Sequence, residues 1–384
     1  MIKKLLAFFA AAVLGFCFCA DIYALPSTDE RPSGLSLPSV SAKSAILINA
    51  EDGSVYYEKN PDERMGMAST TKLMTALVAV EKLAPDKTVC IRKEAVGIEG
   101  SSIYLTEGER LTVRELLYAL LLSSANDAAV ALALDCADSI EGFCALMNEK
   151  AERMGLVNTH FTNPHGLYDE NHYTTARELA IIGKAALENS LIAEIVSTYK
   201  TTVSHDGEAD ARLLINHNKL LTRYDGAIGM KTGFTKKTGR TLVSAARRDG
   251  LTLIAVTLDA PDDWHDHRAM LDYGFGSYEK RVICRAGEFS ADIPLSDGYT
   301  KSIRVVNTEP LVLTVRKDCK DISLRVEGFS RFLTAPVKVG QPFGQVVATA
   351  DGQEMSAPLA VSENAKGKTK IKRNIFQKIA DIFR

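Results

Sequence analysis

Cysteine pairs at metal or redox spacing are missing from this chain. None of its 7 cysteines forms a Cys-x-x-Cys, so a zinc site of that kind and a dithiol redox motif are excluded. Five of them, Cys90, Cys136, Cys144, Cys284 and Cys319, lie beyond residue 24. The odd number leaves at least one thiol without an internal partner, and we read all five as small buried apolar residues. A charge excess is missing as well: 46 basic residues face 48 acidic ones, for a formal net charge of -2. No basic patch interleaved with aromatics precedes the last twenty residues, which argues against nucleic acid as a partner. There is no Gly-x-Ser-x-Gly, the strand–turn–helix elbow of conventional Ser-His-Asp hydrolases. The apolar run from Leu5 to Cys19 has fifteen residues, too few to cross a bilayer core comfortably as a helix.

That run instead has the form of a secretory signal. Lys3 and Lys4 supply the charged start, and Ile22-Tyr23-Ala24 ends on a small residue suited to cleavage. Residues 25–41 carry Pro26, Pro32 and Pro38 among serines and charges, the composition of a spacer. The whole chain is 46% hydrophobic and 24% charged over 384 residues, enough for a buried core and for two or three domains.

The most informative stretch is Met67 to Val80. Ser69 and Lys72 stand three apart, and Leu73, Met74, Leu77 and Val80 follow at helical spacing. Such a pair shares one helix face. A serine at a helix start meets free N–H groups and the positive dipole end, which favour a developing anion. A lysine drawn into an apolar core loses proton affinity and becomes a base near neutral pH. That combination activates a serine without histidine. The spacing alone is weak, because Ser197–Lys200 and Ser277–Lys280 repeat it.

Around this stretch, Ser44–Ala50 and Ser54–Tyr57 read as a hairpin across Glu51-Asp52-Gly53. Val89–Ile91 and Ile103–Leu105 read as short strands. Thr112-x-x-Glu115 and Thr175-x-x-Glu178 read as capping boxes opening helices. The first of these helices, Leu116–Leu122, is apolar almost all round and therefore buried. It meets a second apolar helix, Ala128–Ala137, capped by Asp127, at a polar corner containing Ser124 and Asn126. A further helix covers Glu149–Leu156, and Phe161–Tyr168 is a loop. His165 and His172 read as hydrogen-bonded loop histidines.

A third informative stretch is Gly226–Thr235. Ala227–Met230 reads as a strand with Lys231-Thr232-Gly233 at its end, where a glycine lets a ligand backbone lie close. Lys231 and Thr232 offer a charge and a hydroxyl to an anionic group on a substrate laid along the sheet edge. The second copy, Lys237-Thr238-Gly239, reads as the turn into Thr241–Ala246, and Leu251–Leu258 completes an antiparallel meander. Asp262, Asp263, His265, Asp266 and His267 could suggest a metal, but read better as a polar cap before a helix at Ala269–Tyr273.

In order, Ser69-x-x-Lys72, Ser124-x-Asn126 and Lys231-Thr232-Gly233 resemble the three motifs of the penicillin-recognising serine transferases. The flanks Leu-Leu-Leu-Ser-Ser-Ala-Asn-Asp-Ala and Gly-Met-Lys-Thr-Gly-Phe-Thr look like the low-molecular-mass D-alanyl-D-alanine carboxypeptidases, peptidase family S11, of the penicillin-binding protein 5 type. The likeness is clearest from Ser44 to Gly276. It implies an α+β chain with a penicillin-binding/β-lactamase-like transpeptidase fold, an antiparallel sheet packed with helices plus an all-helical subdomain. It also implies Ser69 as nucleophile, Lys72 as base, and Ser124 as proton relay to the leaving D-alanine. Asn126 would hold the substrate amide. Lys231 and Thr232, joined by Thr235, would bind the terminal carboxylate beside Gly233. The N–H groups of Ser69 and Phe234 would form the oxyanion hole. Where family members carry arginine or threonine inside an Asn-x-Asn segment, this chain has Asn216-His217-Asn218, making His217 the candidate there. Peptidoglycan stem peptides are the implied substrates and β-lactams the implied covalent inhibitors, with no cofactor and no metal.

From Arg281 to about Pro358 short β-rich runs and Asp-Gly turns suggest a small all-β sandwich, which the resemblance treats as a stand-off from the membrane. In the tail, Ile371, Ile375, Phe376, Ile379, Ile382 and Phe383 form one stripe. Lys366, Lys368, Lys370, Lys372, Arg373, Lys378 and Arg384 oppose Asp381. This reads as a helix on an anionic membrane surface; a frayed helix or one docked on a partner stays open. The domains are thus expected at 1–24 (signal), 25–41 (linker), 42–278 (catalytic), 279–360 (β-sandwich) and 361–384 (membrane helix). The expected location is the outer face of the bacterial cytoplasmic membrane. Two rivals remain. A β-lactamase would need a deacylating Glu-x-x-x-Asn after Asn126, and none is convincing. The other is a non-catalytic wall-binding or β-lactam-sensing protein.

Overall fold

The computed structural model describes residues 36–205 and 208–368. The signal, most of the linker and nearly all of the basic tail lie outside those residues. The continuous apolar run of the early chain produces β1 (Ser44–Asn49), buried at every position, and β2 (Val55–Lys59) pairs with it antiparallel around the expected turn. A single 3₁₀ turn, Ala68–Thr71, leads into α1 (Lys72–Lys82). Then come β3 (Thr88–Cys90) and β4 (Arg110–Thr112), which pair with each other. The helices α2 (Val113–Leu122), α3 (Asn126–Ala137), α4 (Ile140–Arg153), α5 (Ala176–Glu188) and α6 (Ser190–Ser197) follow. A ribbon of β5 (Lys200–His205) and β6 (Glu208–Ile215) and a short α7 (Leu220–Arg223) precede the meander β7 (Ala227–Thr235), β8 (Gly239–Arg248), β9 (Leu251–Leu258). Helix α8 (Asp263–Ser277) closes this part.

The central sheet is ordered β2-β1-β9-β8-β7 and antiparallel throughout. Helix α8 packs on β9 and β8, and α5 packs on β9 and β1. Two separate apolar clusters result, one with Leu47, Leu253, Met270 and Leu271, the other with Ile46, Val256, Leu73, Leu116 and Leu132. The second extends into α2, α3 and α4, where Leu116, Leu117, Leu120, Ala129, Leu132, Phe143 and Met147 are wholly buried. At ~25 cal/mol per Å² of apolar surface removed from water, this helical layer rests on burial, not on propensity. The fold class expected from the sequence is thus observed.

Several local expectations change. Ile103–Leu105 is no strand, because the N–H groups of Ile103 and Leu105 donate to the Asp127 carboxylate at 3.1 and 3.0 Å and are lost to any ladder; β4 pairs with β3 instead. For the same reason Asp127 does not cap α3, whose N-cap is Ala125 without a side-chain bond. The box at Thr112/Glu115 is complete. At Thr175 only the forward bond to Glu178 N–H forms, since the Glu178 carboxylate accepts from Asn158 N–H at 2.9 Å. β7 does not stop at Met230 but runs through Lys231-Thr232-Gly233 to Thr235. Helix α8 starts at Asp263 rather than at Ala269, so Asp266 and His267 lie inside it. Asp266 accepts from Ser41 and Ala42, and His267 sits between Ser244 (2.5 Å) and Thr257 (2.9 Å). Of the five cysteines expected to be buried, Cys90 is exposed and Cys136 only partly buried.

After α8 the chain is all β: β10 (Tyr278–Cys284), β11 (Ser290–Ser296), β12 (Ser302–Asn307), β13 (Leu311–Arg316), β14 (Ser323–Gly328), β15 (Leu333–Thr334), β16 (Pro342–Ala350) and β17 (Gln353–Val361). β10 and β13 pair, and the rest form a sheet ordered β14-β16-β17-β12-β11-β15 around a core of Val305, Leu313, Val346, Ala348 and Leu359. The junction with the first part is polar and aromatic: Tyr56 stacks on Tyr278 at 3.7 Å, and Gln353 donates to Ser54 at 2.6 Å. Among the described residues no helix is long and apolar enough to cross a membrane.

Candidate active site

Ser69 sits in the 3₁₀ turn just before α1, and Lys72 is the first residue of α1. The other two Ser-x-x-Lys pairs do not share a helix, since Ser197 ends α6 and Ser277 ends α8, with each lysine in the strand that follows. The turn before Ser69 is strained. Ala68 has φ +46°, the left-handed region that costs an alanine about 1–2 kcal/mol. It is held by bonds from all sides. Thr241 donates to Met67 C=O at 3.0 Å, and Thr71 donates to Ala68 C=O at 2.8 Å. Thr162 N–H donates to His172 Nδ1 at 3.1 Å, so the ring proton lies on Nε2, which meets Thr71 Oγ1 at 2.7 Å. Burial pushes the His172 imidazole down to about 4, which keeps that neutral form.

Lys72 is fully buried. Its Nζ lies 3.0 Å from Ser69 Oγ, 2.7 Å from Asn126 Oδ1 and 2.6 Å from His165 C=O. The Asn126 amide is oriented by its other end, which donates to Glu99 C=O at 2.5 Å. A carbonyl and an amide oxygen can only accept, so a neutral Lys72 amine gives them its two N–H bonds and turns its lone pair to the Ser69 hydroxyl. Burial, then the nearby Lys231 charge, hold the Lys72 pKa well below its usual value; Asp127 opposes this. Burial alone lowers Lys231 to about 7. Its Nζ donates to Thr232 C=O at 2.9 Å.

Ser124 ends the α2–α3 corner with φ +59° and is buried. Its hydroxyl makes no hydrogen bond among the described residues, which leaves it unclaimed by the fold. Asp127, next to Asn126 in the chain, ties the 102–105 loop to this corner through Ser102 (2.5 Å), Ile103 and Leu105. On the opposite wall, Gly233 lies against the nucleophile: a Cβ there would stand 2.3 Å from Thr241 Oγ1 and 2.9 Å from Ser69 N. Gly166, at φ +87°, is equally constrained, its Cβ position only 1.9 Å from Ala68 C=O. Phe234 is exposed beneath Arg240, 6.0 Å away. The Thr235 hydroxyl closes the β7–β8 turn with Thr238 Oγ1 at 2.8 Å and Thr238 N–H at 3.0 Å. His217 is exposed between two buried asparagines whose side chains brace the backbone. Partial burial of its ring, then Lys231 and Lys72, lower its pKa.

The structure therefore brings together Ser69, Lys72 and Asn126 by direct bonds, and sets Lys231 close enough for its charge to act on Lys72 and His217. Sequence reasoning missed the His165 carbonyl, Glu99, the Thr71–His172 brace and the strut role of Asp127. The Gly166 beside His165 was the available signal for a close backbone approach. Among the described residues no group of three or more His, Cys, Asp or Glu is placed to hold a metal ion.

A serine contacting a buried lysine amine, with a second buried lysine on the sheet edge opposite, is an arrangement able to activate a serine without histidine. Comparison with known proteins narrows this. Residues 31–262 match the family described as D-alanyl-D-alanine carboxypeptidase (peptidase S11), and residues 278–367 match the penicillin-binding protein 5 C-terminal domain. D-alanyl-D-alanine carboxypeptidase DacF of Bacillus subtilis (strain 168) is 32% identical over 376 residues, 95% of either chain. Penicillin binding protein 5 from Haemophilus influenzae superposes with a TM-score of 0.68 at 30% identity, over 87% of this chain and 100% of that one. A point mutant of Streptomyces K15 DD-transpeptidase, at 34% identity and TM-score 0.60, covers 62% of this chain and 99% of its own. The chain belongs to the S11 family of D-alanyl-D-alanine carboxypeptidases.

Proposed function

We propose that this enzyme removes the terminal D-alanine from D-Ala-D-Ala-ended peptidoglycan stem pentapeptides through an acyl-serine intermediate on Ser69. The contact of Lys72 Nζ with Ser69 Oγ, with both its N–H bonds spent elsewhere, carries the reading. Lys72 takes the hydroxyl proton as Oγ bonds to the carbonyl carbon of the penultimate D-alanine. The oxyanion is met by the N–H groups of Ser69 and Phe234 at the level of Gly233. Ser124 passes a proton to the departing nitrogen, the C–N bond breaks, and free D-alanine leaves. Water then cleaves the ester and restores the serine. Lys231 and Thr232 hold the terminal carboxylate, with His217 and Thr235 at the margins of that subsite; Asn126 orients the peptide amide as well as Lys72. A β-lactam would acylate the same oxygen.

Residues 1–24 direct export, 25–41 space the catalytic part (42–278) from that point, 279–360 stand it off, and 361–384 attach it to the outer face of the bacterial cytoplasmic membrane. Release of D-alanine from a pentapeptide tests the activity. Labelled penicillin should remain on the wild type and not on Ser69→Ala; equal labelling of both would refute the assignment. Penicillin turnover exceeding D-alanine release would favour a β-lactamase instead.

A further inference from the structure

The β-rich part carries its exposed aromatics at one end. Its other end faces the catalytic part: Lys317 N–H donates to Ser277 C=O, Asn49 reaches Thr314, and Gln353, beside the Asp351–Gly352 turn, reaches Ser54. β16 and β17 run between that turn and the distal end, where Pro342 pairs with Ala360. β14 reaches the distal end at Gly328, opposite Gly344. Phe329 follows at once, its N–H bonded to Phe343 C=O. Phe332 precedes β15, whose Leu333 pairs with Leu295 of β11, and Tyr299 lies in the segment that follows β11. These three are 82%, 53% and 70% exposed, and Val339 beside them is 59% exposed. Lys301, Arg331, Lys338, Lys366 and Lys368 are exposed in the same segments, against the exposed acids Asp297 and Glu363. The chain leaves from this end: Gly367 bridges Gly298, and Lys368 N–H donates to Asp297 C=O at 2.6 Å.

We propose that this distal end is itself a lipid-facing surface, in which Tyr299, Phe329 and Phe332 enter the interface of an anionic bilayer while the surrounding lysines and Arg331 meet its headgroups. Exposed apolar side chains ringed by cations suit that interface, where aromatic rings settle at headgroup depth and basic residues are drawn by the surface potential. Residues 369–384, basic and apolar by sequence, continue from the same end, so the two contacts act together and one raises the effective concentration of the other. The inference builds on the membrane reading of the tail but needs the folded surface to contribute separately.

Full-length protein sedimented with phosphatidylglycerol-containing vesicles tests it, against the triple variant Tyr299→Ser, Phe329→Ser, Phe332→Ser and against deletion of residues 369–384. The triple variant should bind about tenfold more weakly with its unfolding midpoint unchanged. Binding equal to wild type would overturn the inference and leave the tail reading intact. Undiminished binding by the deletion, with the triple variant weakened, would overturn the tail reading alone. If the triple variant misfolds, Lys301→Glu with Arg331→Glu replaces it. That pair should weaken binding to phosphatidylglycerol vesicles and leave phosphatidylcholine binding unaltered; equal loss on both, or none, would count against the surface.

Discussion

The two halves of the molecule treat charge differently. In the β-rich part the fully buried polar groups are uncharged, Asn307 and Thr314, and even its most covered cations, such as Arg316 at 22%, keep part of the side chain in solvent. The catalytic part buries Lys72, Glu109, Asp127, Lys150, Glu178, Lys231, Asp263 and Asp266, with Lys150 paired to Glu81. The carboxylates among these are paired or hydrogen-bonded: Glu109 faces the Arg212 guanidinium, and Asp127 accepts from four uncharged donors. Among the described residues no carboxylate is bonded to Lys72 or Lys231. A buried lysine without such a partner is destabilising unless it gives up its proton, so the difference separates charge kept for architecture from charge withheld for chemistry.

The hardest blow to that distinction comes at Lys72. Replacement by methionine keeps the stem and removes the amine. It should lower D-alanine release and penicillin acylation by about 10³- to 10⁴-fold without lowering stability, as read by steady-state kinetics and chemical denaturation. A variant that unfolds, or acylates normally, would place Lys72 with the architectural charges.

Arg212 should behave in the opposite way. It clamps the β5–β6 ribbon to the 104–109 loop, with Nη2 3.0 Å from Glu109 Oε2, and the Glu109 side chain is wholly inaccessible. Arg212→Ala removes the guanidinium that faces this buried carboxylate and should cost about 3–5 kcal/mol in urea unfolding.

Much of this architecture was legible in the sequence. The hairpin at Asp52-Gly53, the Thr112/Glu115 box and the β7–β9 meander are set by residues within a few positions of one another. Ser69, Lys72 and Asn126 were found because a motif stands in for contacts that spacing alone cannot reveal. What stayed hidden depended on partners far along the chain. Asp127 looked like a cap because nothing local shows that it bonds residues 102–105. The strained φ at Ala68 and Ser124 falls on residues that do not advertise it, unlike the glycine at 166.

Lys231 sharpens the comparison at smaller scale. Its folded pKa of about 7 lies below the roughly 10.4 of an unfolded lysine. Between those values the unfolded chain holds a proton that the folded chain has released, so stability rises with pH by at most ~1.4 kcal/mol per unit. Below about pH 7 both states are charged and this contribution is flat at its least favourable. Lys231→Met should therefore raise stability near neutral pH by about 1–3 kcal/mol and flatten the rise between pH 7 and 10. If Lys231 holds the substrate carboxylate, as proposed, its charged form does so, and KM for a carboxylate substrate should climb above pH 7. A KM independent of pH across 6–9 would remove Lys231 from that role.

The smallest effect belongs to Arg325, and its smallness is the point. Its guanidinium forks onto Glu354 at 2.7 and 2.8 Å and touches Glu327 at 3.0 Å, a better-looking pair than any cation in the active site possesses. Yet the Arg325 and Glu354 side chains are about half open to solvent, 46% and 51%, where water and salt screen the attraction and ordering two long side chains offsets it. Arg325→Ala should leave the unfolding midpoint unchanged within error, at low and high salt alike, while the same substitution at Arg212 is severe. The contrast turns on burial rather than on bond count. If Arg325→Ala were as damaging as Arg212→Ala, exposure would not be what separates the two halves of the molecule.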